Sequence, residues 1–109
     1  MRFLLRDDPT RQLTHDELVA QAAQYLTLMG WFVIVTHGPK HRPITPGVTD
    51  LIAMRRGQNL LLEVKTERRK QDPDQVEFAD RAIRCNLEVR VVRTLDEVIA
   101  IATARDGER

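Results

Sequence analysis

Asp50, Glu63 and Lys65 are the residues whose types and spacing could do chemistry in this chain. Two apolar runs, VTDLIAM and NLLLEVK, are separated by RRGQ. A tight turn containing Gly57 makes the pair a β-hairpin. With Arg56 and Gly57 as the two turn residues, Arg55 faces Gln58, and the same register carried outward sets Asp50 opposite Glu63. Their Cβ atoms would then lie roughly 4.5–5.5 Å apart on one face. Lys65, two residues beyond Glu63, shares that face. Like charges placed directly across a sheet repel, and in a partly buried setting one carboxylate is driven to take up a proton. Burial is expected, because Leu51, Ile52, Ala53, Leu60, Leu61, Leu62 and Val64 surround the pair. A hard divalent cation relieves the repulsion. Mg²⁺ is typically held by one or two carboxylates together with water and phosphate oxygens. A lysine beside such an ion can orient or deprotonate an attacking water and offset charge building on a phosphate. The competing arrangement is a plain salt bridge from Lys65 to both carboxylates, which is a costly device to bury for stability alone. A register slip of one residue would put Asp50 and Glu63 on opposite faces.

The flanking elements must hold this hairpin in place. Thr14 and Glu17 form a capping box that opens a helix. Leu18, Ala22, Tyr25, Leu26 and Met29 line one face of it, and Gly30 stops it. WFVIV (residues 31–35) reads as a strand buried on both faces. Residues 36–47 hold three prolines and two glycines, a long loop of the kind that tends to serve function. After a charged connection over 66–71, Asp72, Pro73 and Gln75 read as N-cap, first helical position and capping-box partner. That helix presents Phe78, Ala79, Ala82 and Ile83 and ends near Asn86. LEVRVV (87–92) is a strand, and Thr94 caps a last helix bearing Val98, Ile99, Ile101 and Ala102. The order α-β-β-β-α-β-α, with one helical crossover between the third and fourth strands, predicts an α/β fold with a mixed sheet flanked by helices.

The bulk properties bound the reading. The 109 residues fit a single domain, and 42% apolar with 30% charged residues is ordinary for a globular chain. Residues 1–13 read as a loosely held leader, 14–105 as the domain and 106–109 as a tail. The lone Cys85 allows no internal disulfide and reads as a small buried helix residue. No apolar run is long enough to span a bilayer, and the N-terminus does not look like a signal peptide. A cytoplasmic protein with no membrane partner is expected. Net charge of +1 does not decide on a nucleic-acid partner. The basic residues do cluster: His37, Lys40, His41 and Arg42 in the long loop, and Arg68, Arg69 and Lys70 after the hairpin. Such clusters could grip phosphates, or simply face solvent. His37 and His41 make a poor zinc pair, because no cysteine or third histidine is near them in sequence. Trp31 and Tyr25 lie on apolar runs and are expected in the core rather than stacked on bases.

The series Gly47-Val48-Thr49-Asp50, then Glu63-Val64-Lys65 after a short hairpin, then Gln75 in the next helix resembles the PD-(D/E)xK nuclease superfamily. The nearest branch is the VRR-NUC family of small phage and bacterial nucleases, and the resemblance spans roughly residues 14–102. It implies a restriction-endonuclease-like αβββαβ core with a central four-stranded mixed sheet. It implies Asp50 and Glu63 as metal-binding carboxylates, the Val64 carbonyl as a further ligand and Lys65 as the catalytic lysine. Gln75 matches a supporting glutamine, and Glu17 matches an acidic residue that often completes the metal shell. Both are equally explained by their capping boxes. Thr49 stands where the family often has proline, a position that mainly shapes the backbone. The implied activity is Mg²⁺- or Mn²⁺-dependent cleavage of DNA, four-way junctions being the substrate associated with stand-alone members. Cutting both strands needs two sites, so a homodimer is expected. The rival reading is a nucleic-acid-binding module that kept the fold without catalysis. Intact Asp, Glu and Lys speak against it.

Overall fold

The computed structural model describes residues 12–38, 43–66 and 72–106. The elements are α1 (His15–Leu28), β1 (Phe32–Val35), β2 (Leu51–Arg55), β3 (Gln58–Val64), α2 (Pro73–Arg84), β4 (Val89–Val92) and α3 (Leu95–Asp106). This is the order expected from the sequence. The strands form one sheet in the order β1-β2-β3-β4. The first three are antiparallel, and β4 runs parallel to β3 after the α2 crossover.

The central hairpin has the expected register: Arg55 pairs with Gln58, and the ladder runs back to Leu51 opposite Leu62. Its turn is built from Arg56 at φ 51° and Gly57 at φ 80°. Positive φ at both turn residues matches the right-handed twist of the flanking strands, as two-residue hairpins require. Both helical N-termini also form as read. Thr14 Oγ1 accepts from Glu17 N while Glu17 Oε1 accepts from Thr14 N, and Asp72 and Gln75 reciprocate in the same way. At α3, Thr94 Oγ1 accepts from Glu97 N.

One face of the sheet carries the core. Leu51, Ala53, Leu60, Leu62, Val64 and Val92 alternate inward and meet Leu18, Val19, Ala22 and Leu26 of α1 and Val98, Ile101 and Ala102 of α3. Burial of this apolar set against α1 and α3 is the main force holding the layers together. Leu61 points to the other face, where it too is buried.

Several expectations need correction. β1 is not buried on both faces: Phe32 is 66% exposed, Ile34 41% and Val35 49%. β1 is an edge strand paired only with β2, and of its run only Trp31 and Val33 reach the core. Cys85 is exposed at the C-cap of α2, and Ile83 and Met29 are exposed as well. α2 lies outside the main core cluster, with Ala82 its one buried residue, so its apolar face has less to pack against than its periodicity suggested. Residues 12 and 13 are held: Gln12 Nε2 donates to Thr66 O at 2.7 Å and Leu13 packs on the core. Asp106 belongs to α3 rather than to a tail.

Arg55 ties three elements together at the turn end of the sheet. Its guanidinium lies 4.5 Å from the centre of the Trp31 ring. It donates to Met29 O at 3.0 Å and pairs with Asp106 Oδ1 at 3.0 Å. Trp31 itself is buried, and its Nε1 has no hydrogen-bond partner among the described residues, so the ring is held by packing and by this cation. Arg55→Ala is expected to lower unfolding stability by about 2 kcal/mol, read as a shift of the urea midpoint at constant slope.

Candidate active site

Asp50 and Glu63 are each 4% exposed, the two buried carboxylates among the described residues. Asp50 stands just before β2, and its carbonyl accepts from Thr36 N at 3.0 Å, continuing the ladder to β1. Its Oδ2 accepts from Val64 N at 2.8 Å. The aspartate is therefore fastened across the hairpin to the residue after Glu63. Neighbouring Thr49 is also buried, its Oγ1 donating to Leu51 O at 3.2 Å.

Glu63, near the end of β3, accepts from Gln75 Nε2 at 2.6 Å through Oε2. Lys65 Nζ lies 3.7 Å from the same oxygen and donates to Gln75 Oε1 at 2.9 Å. Gln75 Oε1 also accepts from Asp72 N at 3.2 Å. Gln75 thus caps its helix and also bonds both Glu63 and Lys65.

Gly47 sets how α2 approaches. Its φ is +75°, and a Cβ there would fall 2.1 Å from Asp74 O. The loop leading to Asp50 therefore packs backbone-to-backbone on the first turn of α2, where only glycine fits.

The described residues of the cleft, about 280 Å³ in volume, are His15, His37, Val48, Asp50, Glu63, Val64, Lys65, Thr66 and Gln75. Glu17 is not among them; its Oε1 closes the capping box of α1. The residue that α1 does supply is His15, whose Nε2 lies 3.3 Å from Asp50 Oδ1. His37 Nε2 lies 3.2 Å from the same oxygen. His37 therefore faces the aspartate and lines the cleft. His15 went unnoticed in the sequence because it reads as an ordinary first-turn residue. The expected basic contacts Lys40, His41, Arg42, Arg68, Arg69 and Lys70 lie outside the described residues, as do residues 1–11 of the expected leader.

No family model and no curated protein matches the chain. A solved structure described as a VRR-NUC domain does, with a TM-score of 0.63 and 26% identity over 84% of this chain and 97% of that one. The chain is related to the VRR-NUC family. Its mixed sheet with three helices matches the fold of that VRR-NUC domain.

The electrostatics of this VRR-NUC relative are those of a site short of positive charge. Burial pushes the Glu63 carboxyl up to about 7, the charge of Asp50 adds to the rise, and Lys65 and His15 only partly offset it. Burial pulls the His15 imidazole down, but the hydrogen bond to Asp16 and the charge of Asp50 outweigh it, and the net shift is upward. Among the described residues, no three His, Cys, Asp or Glu side chains are grouped so that they could hold a metal ion. Two carboxylates with an adjacent open cleft suit a hard cation that takes its remaining ligands from water and phosphate, and the raised Glu63 marks the charge such an ion would neutralise.

Both shifts are upward, so both groups hold protons more tightly folded than unfolded. Their stabilising contribution is complete below the unfolded values, 4.5 for Glu63 and 6.5 for His15. Glu63's is lost as pH rises through about 7. In EDTA at pH 8 the metal-free protein carries the full cost of the ionised Glu63, up to about 3 kcal/mol. Glu63→Gln is expected to be the more stable protein there, with the difference shrinking toward zero below pH 5 in urea titrations.

Proposed function

We propose that this chain is a divalent-metal-dependent DNA endonuclease that hydrolyses phosphodiester bonds. The observation that carries the reading is the buried Asp50–Glu63 pair facing one cleft with Lys65 and Gln75. The two carboxylates and the Val64 carbonyl would hold Mg²⁺ or Mn²⁺. When bound, that ion supplies Lewis-acid activation of water and stabilisation of the leaving oxygen. Lys65, held by Gln75 at 2.9 Å, orients the attacking water and offsets charge on the phosphate. Gln75 keeps Glu63 and Lys65 in register with one another. Lys40, His41 and Arg42 follow the cleft residue His37 in sequence, and Arg68, Arg69 and Lys70 follow Thr66. They are assigned to phosphate contacts on either side of the cut.

The substrate we assign is branched DNA, four-way junctions above all, cut by a homodimer. One domain with one such cleft serves one strand, and two strands at a junction call for two copies. Duplex, single-stranded, flapped and four-way DNA incubated with Mg²⁺ or Mn²⁺ should show cleavage of the junction first. Asp50→Asn keeps an acceptor for Val64 N but loses the charge, and is expected to abolish metal-dependent cleavage with an unchanged circular dichroism spectrum. Full activity in that variant would overturn the proposal. A calorimetric Mn²⁺ titration with no uptake would point instead to a binding module. Gln75→Ala is expected to lower cleavage about 10–100-fold, measured as kcat on the best substrate of the panel.

A further inference from the structure

β1 is an edge strand that carries none of the features that protect edges. Phe32, Val33, Ile34 and Val35 include no charge and no proline, and the pairing with β2 runs without a bulge. The neutrality extends well beyond the strand. Residues 18–36, from α1 through β1, contain no Asp, Glu, Lys, Arg or His in a chain that is 30% charged. Within that stretch Leu28, Met29, Phe32, Ile34 and Val35 are exposed. Depletion of charge around exposed aromatic, Met and aliphatic side chains is the composition of an interface centre, whereas a surface for phosphates would be basic. The open backbone groups say what fits there. Thr36 N donates to Asp50 O, one step beyond the Val35–Leu51 pair. Alternate residues of an antiparallel ladder bond the partner strand. Ile34 and Phe32 therefore also bond β2 through their N–H and C=O groups, and Val33 and Val35 aim theirs at the open edge. A two-fold axis at Ile34 sets Val33 opposite Val35 of the partner subunit, and Val35 opposite the partner's Val33. Each such pair exchanges two hydrogen bonds, so the edge is its own complement. Such an axis also requires the observed lack of charge, because each side meets a copy of itself and like charges there would repel.

We propose that a second copy of this chain pairs antiparallel along β1, about a two-fold axis at Ile34, and joins the two four-stranded sheets into one. This inference rests on the two-copy arrangement of the proposed function and gives it a geometry. The axis stands perpendicular to the joined sheet, so both clefts open on the same face. Asp50 is level with Thr36, and Thr36 of the partner subunit is level with Phe32. The two aspartates then lie three strand spacings apart across the sheet and four residues apart along it, about 20 Å in all. One face of the dimer thus presents two clefts to one DNA molecule, each to its own strand.

The test uses the full chain and needs neither metal nor DNA. Sedimentation equilibrium should give a dimer. Ile34→Cys, made with Cys85→Ser to remove the exposed native thiol, meets its own copy in a non-hydrogen-bonded pair. The Cα atoms there are about 4.5 Å apart, within disulfide range, and mild oxidation should cross-link the dimer. Phe32→Cys in the same background faces Thr36 of the partner subunit and should not cross-link. Val35→Pro removes an N–H that β2 does not use, so an edge strand tolerates it. It deletes two of the four bridging hydrogen bonds and should raise the dimer dissociation constant at least about 10-fold. A dimer that Ile34→Cys does not cross-link, or that Val35→Pro leaves as tight, overturns the β1 interface and leaves the proposed function standing. A monomeric wild-type chain overturns the interface and the two-copy arrangement together, while metal-dependent cleavage is decided separately by Asp50→Asn.

Discussion

Two carboxylates buried side by side are the constraint on which the rest of this molecule depends. Asp50 and Glu63 sit at the ends of adjacent strands, almost without solvent, and nothing about a hydrophobic hairpin favours them. The surroundings read as a set of responses to that difficulty. A backbone N–H from Val64 holds one oxygen of Asp50, and two imidazoles face the other. Gln75 and Lys65 share an oxygen of Glu63. These contacts orient the pair but do not neutralise it, as the elevated Glu63 shows. Local stability is given up at such a place when it serves a binding task.

The framework absorbs this cost because the site and the core divide the sheet between them. Leu60, Leu62 and Val64 of β3 feed the cluster shared with α1 and α3, while Glu63 points the other way. One strand therefore serves packing and chemistry by simple alternation. α1 does the same. Leu18 and Val19 pack inward, and His15 in its first turn reaches Asp50.

Much of this was legible in the sequence. The hairpin register followed from a single turn assignment at Arg56-Gly57, and the capping pairs Thr14–Glu17 and Asp72–Gln75 followed from local chemistry with a short range. What failed was long-range. The apolar run of β1 looks the same whether or not a second layer covers it, and no local rule announces that β1 is an edge. Cys85 and Ile83 were misjudged for the same reason: their helix meets the main core at too few points. His15 was missed because its partners, Asp50 and His37, come from distant parts of the chain. Glu17, at the same turn of the same helix, was the more conspicuous residue, yet the fold turns His15 to the cleft.

The two-residue turn also has a meaning for the lineage of this chain. Because Asp50 and Glu63 are matched across a hairpin, the segment between them can lengthen only by balanced additions, one residue in each strand. A single inserted residue would turn Glu63 and Lys65 away from Asp50 unless a bulge absorbed it. The spacing from aspartate to glutamate in descendants of this hairpin should therefore drift in steps of two.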